Sequence, residues 1–345
     1  MVDTIKIFTF IPKKTYEKIK NSSDIKCMFN NADGTIFYEI INSSLKGSYD
    51  SSLSVRVDEA SRYGMCGYVL EVEGSYHKIV KGHNAYDGYY NIQSITLHLK
   101  ELVENAYDLK LPDLKHWFLQ RIDITRVYDL KENTKVQKYI NYFRTLSYPR
   151  RNLKFYENES VYVSGQTTTL KIYNKLREFI KNDRKKLSKF EDFNLQEFMF
   201  KINGYVRFEL EIKKKKLKSI YGTNFIRIRN LNYNELLNVW CEEFMKILKF
   251  DMSEIKKVRK KESVKERLQT IYKTSKANEL YNFYLSIKVD GENEVKYSMS
   301  KATFYRKRKE LKDAGIDFTG CFRIYEEDTQ IIDFNPFKDL DVEVM

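Results

Sequence analysis

The chain has 345 residues, 42% of them hydrophobic, which is enough for a large core and one or two smaller domains. Its net charge of +13 indicates an anionic partner, with nucleic acid first and an acidic membrane surface second. The lysine-rich codon bias of an AT-rich genome is the competing explanation. The sequence shows neither a signal peptide nor an apolar run of ~20 residues, so we expect a soluble, intracellular protein without membrane contact.

Several classes of site find no support in the sequence. The four cysteines are far apart and show no CxxC spacing, which argues against a zinc site or a disulfide framework. There is no GxxxxGK[ST] or GxGxxG motif, so ATP hydrolysis and dinucleotide binding are not indicated. No His-hydrophobic-His pair is present, so a histidine-ligated metal site of the kind found in many nicking enzymes is not expected.

The first part of the chain is predicted to be rich in strands. Turn signals separate short alternating or β-branched runs, and a period near 3.6 then marks two helices. The predicted strands cover 5–10, 35–41, 53–57, 68–72 and 77–80, and the helices cover 94–107 and 134–146, on either side of a strand that contains Asp123.

The middle third alternates strands with helices. Strands are expected around Tyr162, Tyr173 and Glu209, with a charged helix over 175–190. This pattern predicts an α+β fold, in which a central, mainly antiparallel sheet has helices packed on one face.

The pattern becomes nearly all helical near Asn232, with helices over 233–250 and 264–286. We therefore predict a β-rich catalytic domain over 1–225 and a helical DNA-binding domain over 226–345. The second domain is expected to carry a helix-turn-helix-like element near 300–315.

Alternate side chains of a strand lie on opposite faces, and this predicts a set of polar and charged side chains on one face of the sheet. Three predicted strands point apolar residues inward: Ile122 and Ile124; Leu170 and Ile172; Phe208, Leu210 and Ile212. Their outward residues are Arg121, Asp123 and Thr125; Lys171, Tyr173 and Lys175; Arg207, Glu209 and Glu211.

The carboxylates Asp123, Glu209 and Glu211 are the candidate metal ligands. Hard cations such as Mg²⁺ or Mn²⁺ take oxygen ligands and need only a couple of carboxylates plus substrate phosphate. The alternative is a solvated sheet face with cross-strand ion pairs. Arg121 and Arg207, and also His83 and Asn84 of a Gly-His-Asn loop, are candidates for DNA contact.

Tyr173 is the candidate nucleophile, although most of the 26 tyrosines must be packing residues. Lys171 and Lys175 flank it at a spacing of two, and ammonium groups there are expected to favour the phenolate. A metal ion on the scissile phosphate would stabilise the developing charge. Tyr162, on the preceding strand, is the competing nucleophile.

A basic helix is predicted from Ser300, as its N-cap, to Gly315. Phe304 and Leu311 are expected to face inward. A helix that begins with Ser, Lys and Thr and continues with arginines is typical of a recognition helix in a major groove, and an ordinary basic surface helix is the alternative. The candidate DNA contacts are Lys301, Thr303, Tyr305, Arg306, Lys307 and Arg308.

Four stretches give the chain a resemblance to the gene II/X-like replication initiators of filamentous phages and related plasmids. They cover 76–84, 121–125, 170–178 with 207–209, and 298–317. The last has the pattern SxSKxTFYRxRKxLxxxGID and is the most specific of the four. The middle stretches also resemble the Rep_trans plasmid initiators, which share YxK and RxE elements.

The resemblance implies rolling-circle initiation in the cytoplasm of a bacterial host. Such enzymes nick one strand of an origin through a 5′-phosphotyrosine, leave a 3′-OH for a host polymerase, work with a host helicase and later rejoin the strand. It implies that Tyr173 or Tyr162 is the nucleophile, that Lys175 supports the phosphate or leaving group, and that Asp123, Glu209 and Glu211 bind the metal. Asp129 is an alternative to Glu211.

Two other functions stay open at this point. The first is a non-enzymatic DNA-binding regulator of replication that resembles the gene X product. The second is a relaxase of a mobile element, which uses the same chemistry.

Overall fold

The structure is a computed structural model, and it describes residues 1–29, 36–145, 148, 150–156, 159–248, 261–314, 316, 322–325 and 331–334. The strands of these ranges are β1 (Val2–Ile11), β2 (Asp24–Phe29), β3 (Ile36–Lys46), β4 (Ser52–Glu59), β5 (Tyr68–Ser75), β6 (Trp117–Asp129), β7 (Asn152–Tyr156), β8 (Ser160–Ser164), β9 (Thr168–Asn174), β10 (Tyr205–Ile212), β11 (Ile226–Arg227), β12 (Phe322–Tyr325) and β13 (Ile331–Phe334).

The helices of the described residues fall between and after these strands. They are α1 (Lys13–Asn21), α2 (Tyr76–Lys81), α3 (Ile92–Tyr107), α4 (Asn133–Thr145), α5 (Lys175–Asn182), α6 (Arg184–Leu187), α7 (Leu195–Lys201), α8 (Lys214–Tyr221), α9 (Tyr233–Leu248), α10 (Lys261–Ile271), α11 (Thr274–Asp290), α12 (Glu292–Tyr297) and α13 (Lys301–Asp313).

One large antiparallel sheet organises the first two thirds of the chain. Its strand order is β2-β3-β4-β5-β1-β6-β10-β9-β8-β7, and β11 pairs with β6 beside this path. β1 therefore lies in the middle of the sheet, between β5 and β6, and β6 is in turn followed by β10 and β9. The predicted α+β class with a mainly antiparallel sheet is confirmed.

The main core lies on one face of this sheet, as the alternation of residues predicts. The predicted inward residues of β6, β9 and β10 are all fully buried. Apolar side chains of α3, α4 and α9 cover them, including Leu99, Ile140 and Trp240. Burying aliphatic and aromatic side chains against a sheet in this way is the main favourable contribution to folding.

A smaller layer covers one end of the opposite face. Phe179 of α5, Leu187 of α6 and Phe198 of α7 pack with Val127 of β6 and Tyr205 of β10. The rest of that face carries charged side chains. The helices α5–α7 therefore bury one end of the face and leave the other end accessible to solvent.

Several local predictions were wrong or incomplete. Residues 77–80, predicted as a strand, lie in α2, because Tyr76 and Ile79 sit one helical turn apart and are both buried against the sheet. The helix predicted over 175–190 is divided at Asp183 into α5 and α6, and the one predicted over 264–286 is divided near Lys273 into α10 and α11. Elements that were not predicted include α1, β2, β7 and α8.

The C-terminal helices have an apolar core of their own. Leu268 of α10, Phe283 of α11, Val295 of α12 and Phe304 of α13 belong to it. The predicted helical C-terminal region is thus confirmed, whereas the division of the chain at residue 225 stays a prediction, and α9 beyond it packs in the main core. In the parts of the chain that the structure describes, no helix is both long and apolar enough to cross a membrane.

Candidate active site

Three predicted metal ligands, Asp123, Glu209 and Glu211, lie together on the charged face of the sheet, and we call them the carboxylate cluster. Glu211 of β10 lies directly opposite Asp123 of β6, and Glu209 lies opposite Lys171 of β9. The Lys171 ammonium nitrogen is 2.7 Å from a Glu209 oxygen, 3.4 Å from Asp123 and 3.6 Å from Glu211. The three carboxylates therefore converge, and the group at their common point is a lysine.

Arg121 pairs with Asp123, the most deeply buried carboxylate of the cluster. Its Nε and Nη2 atoms donate to the two Asp123 oxygens over 2.9 and 2.7 Å, and its Nη1 donates to Glu73 over 3.0 Å. Burial and the charge of Glu209 raise the pKa of Asp123 to about 7, although Arg121 and Lys171 oppose the rise. Lys213 approaches Glu211 to 4.0 Å, so a further basic side chain borders the cluster.

The donor set of the cluster suits a hard divalent cation, but the geometry is not that of a ready-made site. Within the described ranges, no three His, Cys, Asp or Glu side chains are disposed to hold a metal ion. Arg121 pairs with Asp123 over 2.7 Å, and Lys171 pairs with Glu209 over 2.7 Å. Three carboxylates from two neighbouring strands are nevertheless the oxygen ligands that Mg²⁺ and Mn²⁺ use. In the arrangement that the structure describes, Arg121 holds both oxygens of Asp123, so the residues do not fit such an ion as they stand.

Asp129, the alternative to Glu211, does not reach the cluster. It lies at the far end of β6, opposite Tyr205, and pairs with Lys131 over 2.8 Å. It lies six positions further along the strand than Asp123, a distance of about 20 Å.

Tyr173 lies beside the cluster, but its phenol is not activated as the sequence suggested. Its hydroxyl donates to Glu209 over 3.0 Å, and the side chain is buried. Burial raises the pKa of Tyr173 well above its ordinary value; Arg207 opposes this rise and Glu209 adds to it. The expectation that Lys171 and Lys175 favour the phenolate is therefore wrong, because both ammonium groups are paired with carboxylates. Ionising this phenol requires a base, and Glu209 is in contact with it.

Tyr162 shares a cavity with Tyr173. It lies on β8 directly opposite Lys171 and is half-buried, so its side chain is more accessible than that of Tyr173. A cavity of about 240 Å³ is lined by both tyrosines and by polar side chains that include Ser160, Asn174 and Glu178. Both candidate nucleophiles thus face one open space.

Lys175, Asn84 and Arg207 form a buried network instead of an exposed surface. Lys175 is the first residue of α5, not the end of a strand, and its ammonium contacts Asn84 over 2.6 Å and Glu178 over 2.5 Å. Arg207 is fully buried and pairs with Asp3 over 2.8 Å. The structure therefore gives these predicted phosphate and DNA contacts interior partners, and DNA does not reach Arg207 in this conformation.

Local backbone geometry explains how Asn84 enters this network. α2 ends at Gly82 in the left-handed region at φ 75°, and a Cβ atom at that position would lie 2.6 Å from the Tyr49 ring. The following residue, His83, is also buried, against Phe198 and Tyr86, so it does not face solvent as a DNA contact would.

Sequence reasoning missed Asp3, the partner of Arg207. Besides this ion pair, Asp3 accepts hydrogen bonds from Asn84 and Ser75, each over 2.8 Å. Burial alone would raise the pKa of Asp3, but Arg207, Asn84 and Ser75 outweigh it and hold that pKa below its usual range. No local pattern marks this residue, because its role depends on β1 lying next to β6 in the sheet.

The charged face continues from the carboxylate cluster to a group of aromatic side chains. Ion pairs link Arg121 to Glu73, Glu73 to Lys6 and Lys6 to Glu71, which accepts a 2.5 Å hydrogen bond from the Tyr63 hydroxyl. Tyr63 stacks on Phe8 with ring centroids 4.5 Å apart. The other members of this aromatic group are Phe10, Phe118 and Phe225, and Lys214 lies over the Tyr63 ring.

Helix α13 has the predicted cap and the predicted inner face. The Ser300 hydroxyl accepts from the Thr303 amide over 3.2 Å, and Phe304 and Leu311 are buried. Gly315, the predicted end, lies outside the described residues, and the helix ends at Asp313.

The basic side chains of α13 divide into two groups. Lys307 pairs with Glu279 over 3.1 Å and Arg308 with Glu292 over 3.2 Å, so both tie α13 to neighbouring helices. Lys301, Tyr305 and Arg306 are exposed. The helix-turn-helix assignment stays a prediction.

Comparison with protein families gives the class of the chain first. Residues 1–235 match the model for the N-terminal part of the phage gene II replication-associated protein, and residues 268–338 match the model for its C-terminal part. The chain is therefore a replication-associated protein.

The two matches together cover most of the chain and identify the family. The chain belongs to the filamentous-phage gene II replication-associated protein family, as its resemblance indicated, and this membership supports a role in replication initiation. A search of the curated proteins gives no match.

Proposed function

We propose that the chain is a rolling-circle replication initiator that nicks and rejoins one strand of origin DNA through a covalent phosphotyrosine. The observation that carries the proposal is the 3.0 Å hydrogen bond from the Tyr173 hydroxyl to Glu209, a member of the carboxylate cluster. A phenol, a base and oxygen donors for a cation thus lie within one connected site, in the part of the chain that matches the N-terminal family model.

The reaction is a transesterification at phosphorus. The Tyr173 oxygen attacks a backbone phosphate and forms an O–P bond, while the bond from phosphorus to the 3′ oxygen breaks. Glu209 takes the phenolic proton and later releases it to water, while water gives one proton to the departing 3′ oxygen, so the step releases no proton overall. The energy of the phosphodiester is kept in the protein–DNA bond, so rejoining needs no ATP.

Mg²⁺ or Mn²⁺ is the proposed cofactor. Asp123, Glu209 and Glu211 would hold the ion, which would supply charge stabilisation at the phosphate. Lys171 has 20% of its side chain exposed and borders the cluster, whereas the predicted phosphate ligand Lys175 has only 1% exposed. We therefore assign support of the phosphate to Lys171.

The DNA contacts are proposed at two places. The aromatic group and Lys214 on the charged face suit a single strand, since bases stack on aromatic side chains beside a cation. Lys301, Thr303, Tyr305 and Arg306 of α13 are proposed to recognise the origin duplex. The free 3′-OH would then be extended by a host polymerase, with a host helicase separating the strands.

A covalent-adduct assay tests the proposal. Protein, Mn²⁺ and a single-stranded oligonucleotide from the origin of its own replicon are incubated, and a denaturing gel reveals any protein–DNA adduct. Tyr173→Phe should abolish the adduct while DNA binding persists. The matched control is Tyr205→Phe, which removes another buried phenol, at the start of β10, and should leave the adduct intact.

The possible results separate the nucleophiles and the class. If Tyr162→Phe alone removes the adduct, Tyr162 is the nucleophile and the proposed class stands. If the unmodified chain forms no adduct with any origin strand in Mg²⁺ or Mn²⁺, the enzyme proposal fails.

A second candidate is a non-enzymatic DNA-binding regulator of replication. The separate apolar core of α10–α13 favours it, because a helical region with its own core can bind DNA without using the sheet. It predicts origin binding without an adduct and without loss of binding in the tyrosine variants.

A further inference from the structure

The cavity that Tyr162 and Tyr173 line lies between helix α5 and the strands β8 and β9. Its volume is about 240 Å³, below the ~300–1,000 Å³ of sites for drug-sized ligands, so it suits a single ring system. The two tyrosines supply aromatic rings, and the other lining residues supply polar groups. The full lining consists of Glu159, Ser160, Tyr162, Tyr173, Asn174, Glu178, Lys181 and Asn182.

The sheet brings a buried hydroxyl and two aromatic rings together in this cavity. Ser160 lies directly opposite Tyr173, and Tyr162 lies directly opposite Lys171, so these side chains project from the same charged face. Only 7% of Ser160 is exposed, and its hydroxyl has no hydrogen-bond partner among the described residues. A buried polar group in that state favours a ligand that can form a hydrogen bond with it.

The charges of the cavity favour a neutral ligand with N–H donors over a phosphate. Glu178 is balanced from behind, by Lys175 over 2.5 Å and Lys78 over 3.6 Å, and neither lysine lines the cavity. The Glu159 carboxylate has no ion-pair or hydrogen-bond partner within the part of the chain that the structure describes. Lys181 is exposed to solvent. Glu159 is therefore an acceptor open to a ligand, and it would repel a phosphate.

We propose that the cavity receives one nucleobase of the bound strand, from a nucleotide beside the scissile phosphate, and selects a base with an exocyclic amino group over thymine. The inference rests on the proposed function and deepens it, because it names the part of the substrate that the sheet domain reads. The position of the cavity supports it, since Tyr173 is both a lining residue and the proposed nucleophile. Sequence is then recognised at the nick as well as by α13.

The chemistry of the bases explains the selection. Adenine, cytosine and guanine carry an amino group that donates to a carboxylate, as cytosine does to Glu or Asp in a DNA groove. Thymine has a carbonyl on each side of its single ring N–H, and these oxygens would face the Glu159 carboxylate. Turning a base out of a single strand costs little, because no pairing is broken, and an aromatic side chain such as Tyr162 replaces part of the lost stacking.

Fluorescence anisotropy tests the inference on the full chain, in EDTA, so that binding is measured without nicking. The probes are end-labelled single strands from the origin of its own replicon, and the adduct assay in Mn²⁺ maps the nick. The position on each side of the nick carries in turn each of the four bases or an abasic site. At one of the two positions, thymine and the abasic site should each bind about tenfold more weakly than the best amino-bearing base.

Glu159→Gln is the diagnostic variant, because it replaces a carboxylate acceptor with an amide of the same size. It should reduce the tenfold preference against thymine to less than about threefold. Glu191→Gln is the matched control, since Glu191 is exposed between α6 and α7, outside the cavity, and its loss changes the net charge equally. This control should keep the full preference, and both variants should bind the abasic strand equally. Thermal unfolding of each variant establishes that it is folded.

The results that would overturn the inference are distinct from those that would overturn nicking. If all four bases and the abasic site bind equally at both positions while the adduct still forms, no base enters the cavity and the nicking proposal stands. If the preference survives in Glu159→Gln, the base is read elsewhere and the inference fails. If the unmodified chain forms no adduct with any origin strand, the nicking proposal fails, and a base site beside a nick fails with it.

Discussion

Arg207 was expected to contact DNA, but it is the centre of a buried ion-pair network, and its replacement should therefore unfold the protein before it weakens binding. None of its side chain is exposed. It pairs with Asp3 over 2.8 Å, approaches Glu209 to 3.6 Å and donates to the carbonyl oxygen of Asn84. Arg207→Met keeps the length and apolar stem of the side chain and removes only the charge and its donors.

The expected loss is about 3–5 kcal/mol of unfolding free energy, the range for removing one partner of a buried ion pair. The cost arises because Asp3 would keep only the hydrogen bonds of Asn84 and Ser75. Without Arg207, burial would raise the pKa of Asp3. Protonation of Asp3 would then relieve part of the loss, so the penalty should shrink as the pH falls from about 7 toward about 4.

Urea denaturation followed by circular dichroism measures this loss, with Arg227→Met as the control. Arg227 is exposed on β11, and its replacement should change the unfolding free energy by less than about 0.5 kcal/mol. Adding Asp3→Asn to Arg207→Met should restore part of the stability, because the two residues interact directly. A loss below about 1 kcal/mol together with reduced DNA affinity would contradict the reasoning and return Arg207 to the DNA-binding surface.

Three further outcomes follow from other parts of the chain. His77 is fully buried, its ring has no hydrogen-bond partner among the described residues, and burial lowers its pKa to about 3. The ring protonates near pH ~6.5 only in the unfolded chain, so the unfolding free energy should fall by about 2 kcal/mol between about pH 7 and pH 5. His77→Phe should reduce this loss in urea titrations, whereas replacement of an exposed histidine, His116→Gln, should leave it unchanged. Ser300→Ala should lower the unfolding free energy of the C-terminal helices by about 1 kcal/mol, measured by thermal unfolding, since it removes the N-cap of α13. Arg306→Ala should weaken origin binding in a gel-shift assay without changing the melting temperature. Lys307→Ala should lower the melting temperature, because Lys307 pairs with Glu279. Equal effects of the two variants on the melting temperature would contradict the division of the basic side chains of α13 into two groups.

Alternation along the strands was enough to predict the sheet and the charged face. Ile122, Leu170 and Phe208 are buried in the main core, and Asp123 and Glu209 are on the other side, as expected. A period of two is a local property, so it survives without knowledge of which strands are neighbours.

What escaped prediction depends on neighbours that are distant in sequence. Arg207 has the polar pattern of an exposed residue, and only the position of Asp3 on β1 and the cover provided by α5–α7 make it internal. Lys175 fits the alternating pattern of β9 and was therefore predicted to lie on that strand. The strand ends at Asn174, which caps α5, so Lys175 is the first residue of a helix. The strand predicted at 77–80 failed for the same reason, since tertiary packing outweighed β-branched composition.

The central place of β1 has a consequence for the order of folding during synthesis. Residues of β1–β5 can pair as soon as they leave the ribosome, but the second edge of β1 must wait for β6, more than forty residues after β5 ends. Until then the nascent chain presents an unpaired strand whose Ile5 and Ile7 later belong to the core. Slowing elongation between codons 76 and 129 should therefore raise the fraction of aggregated product, and fast elongation there should favour a soluble one.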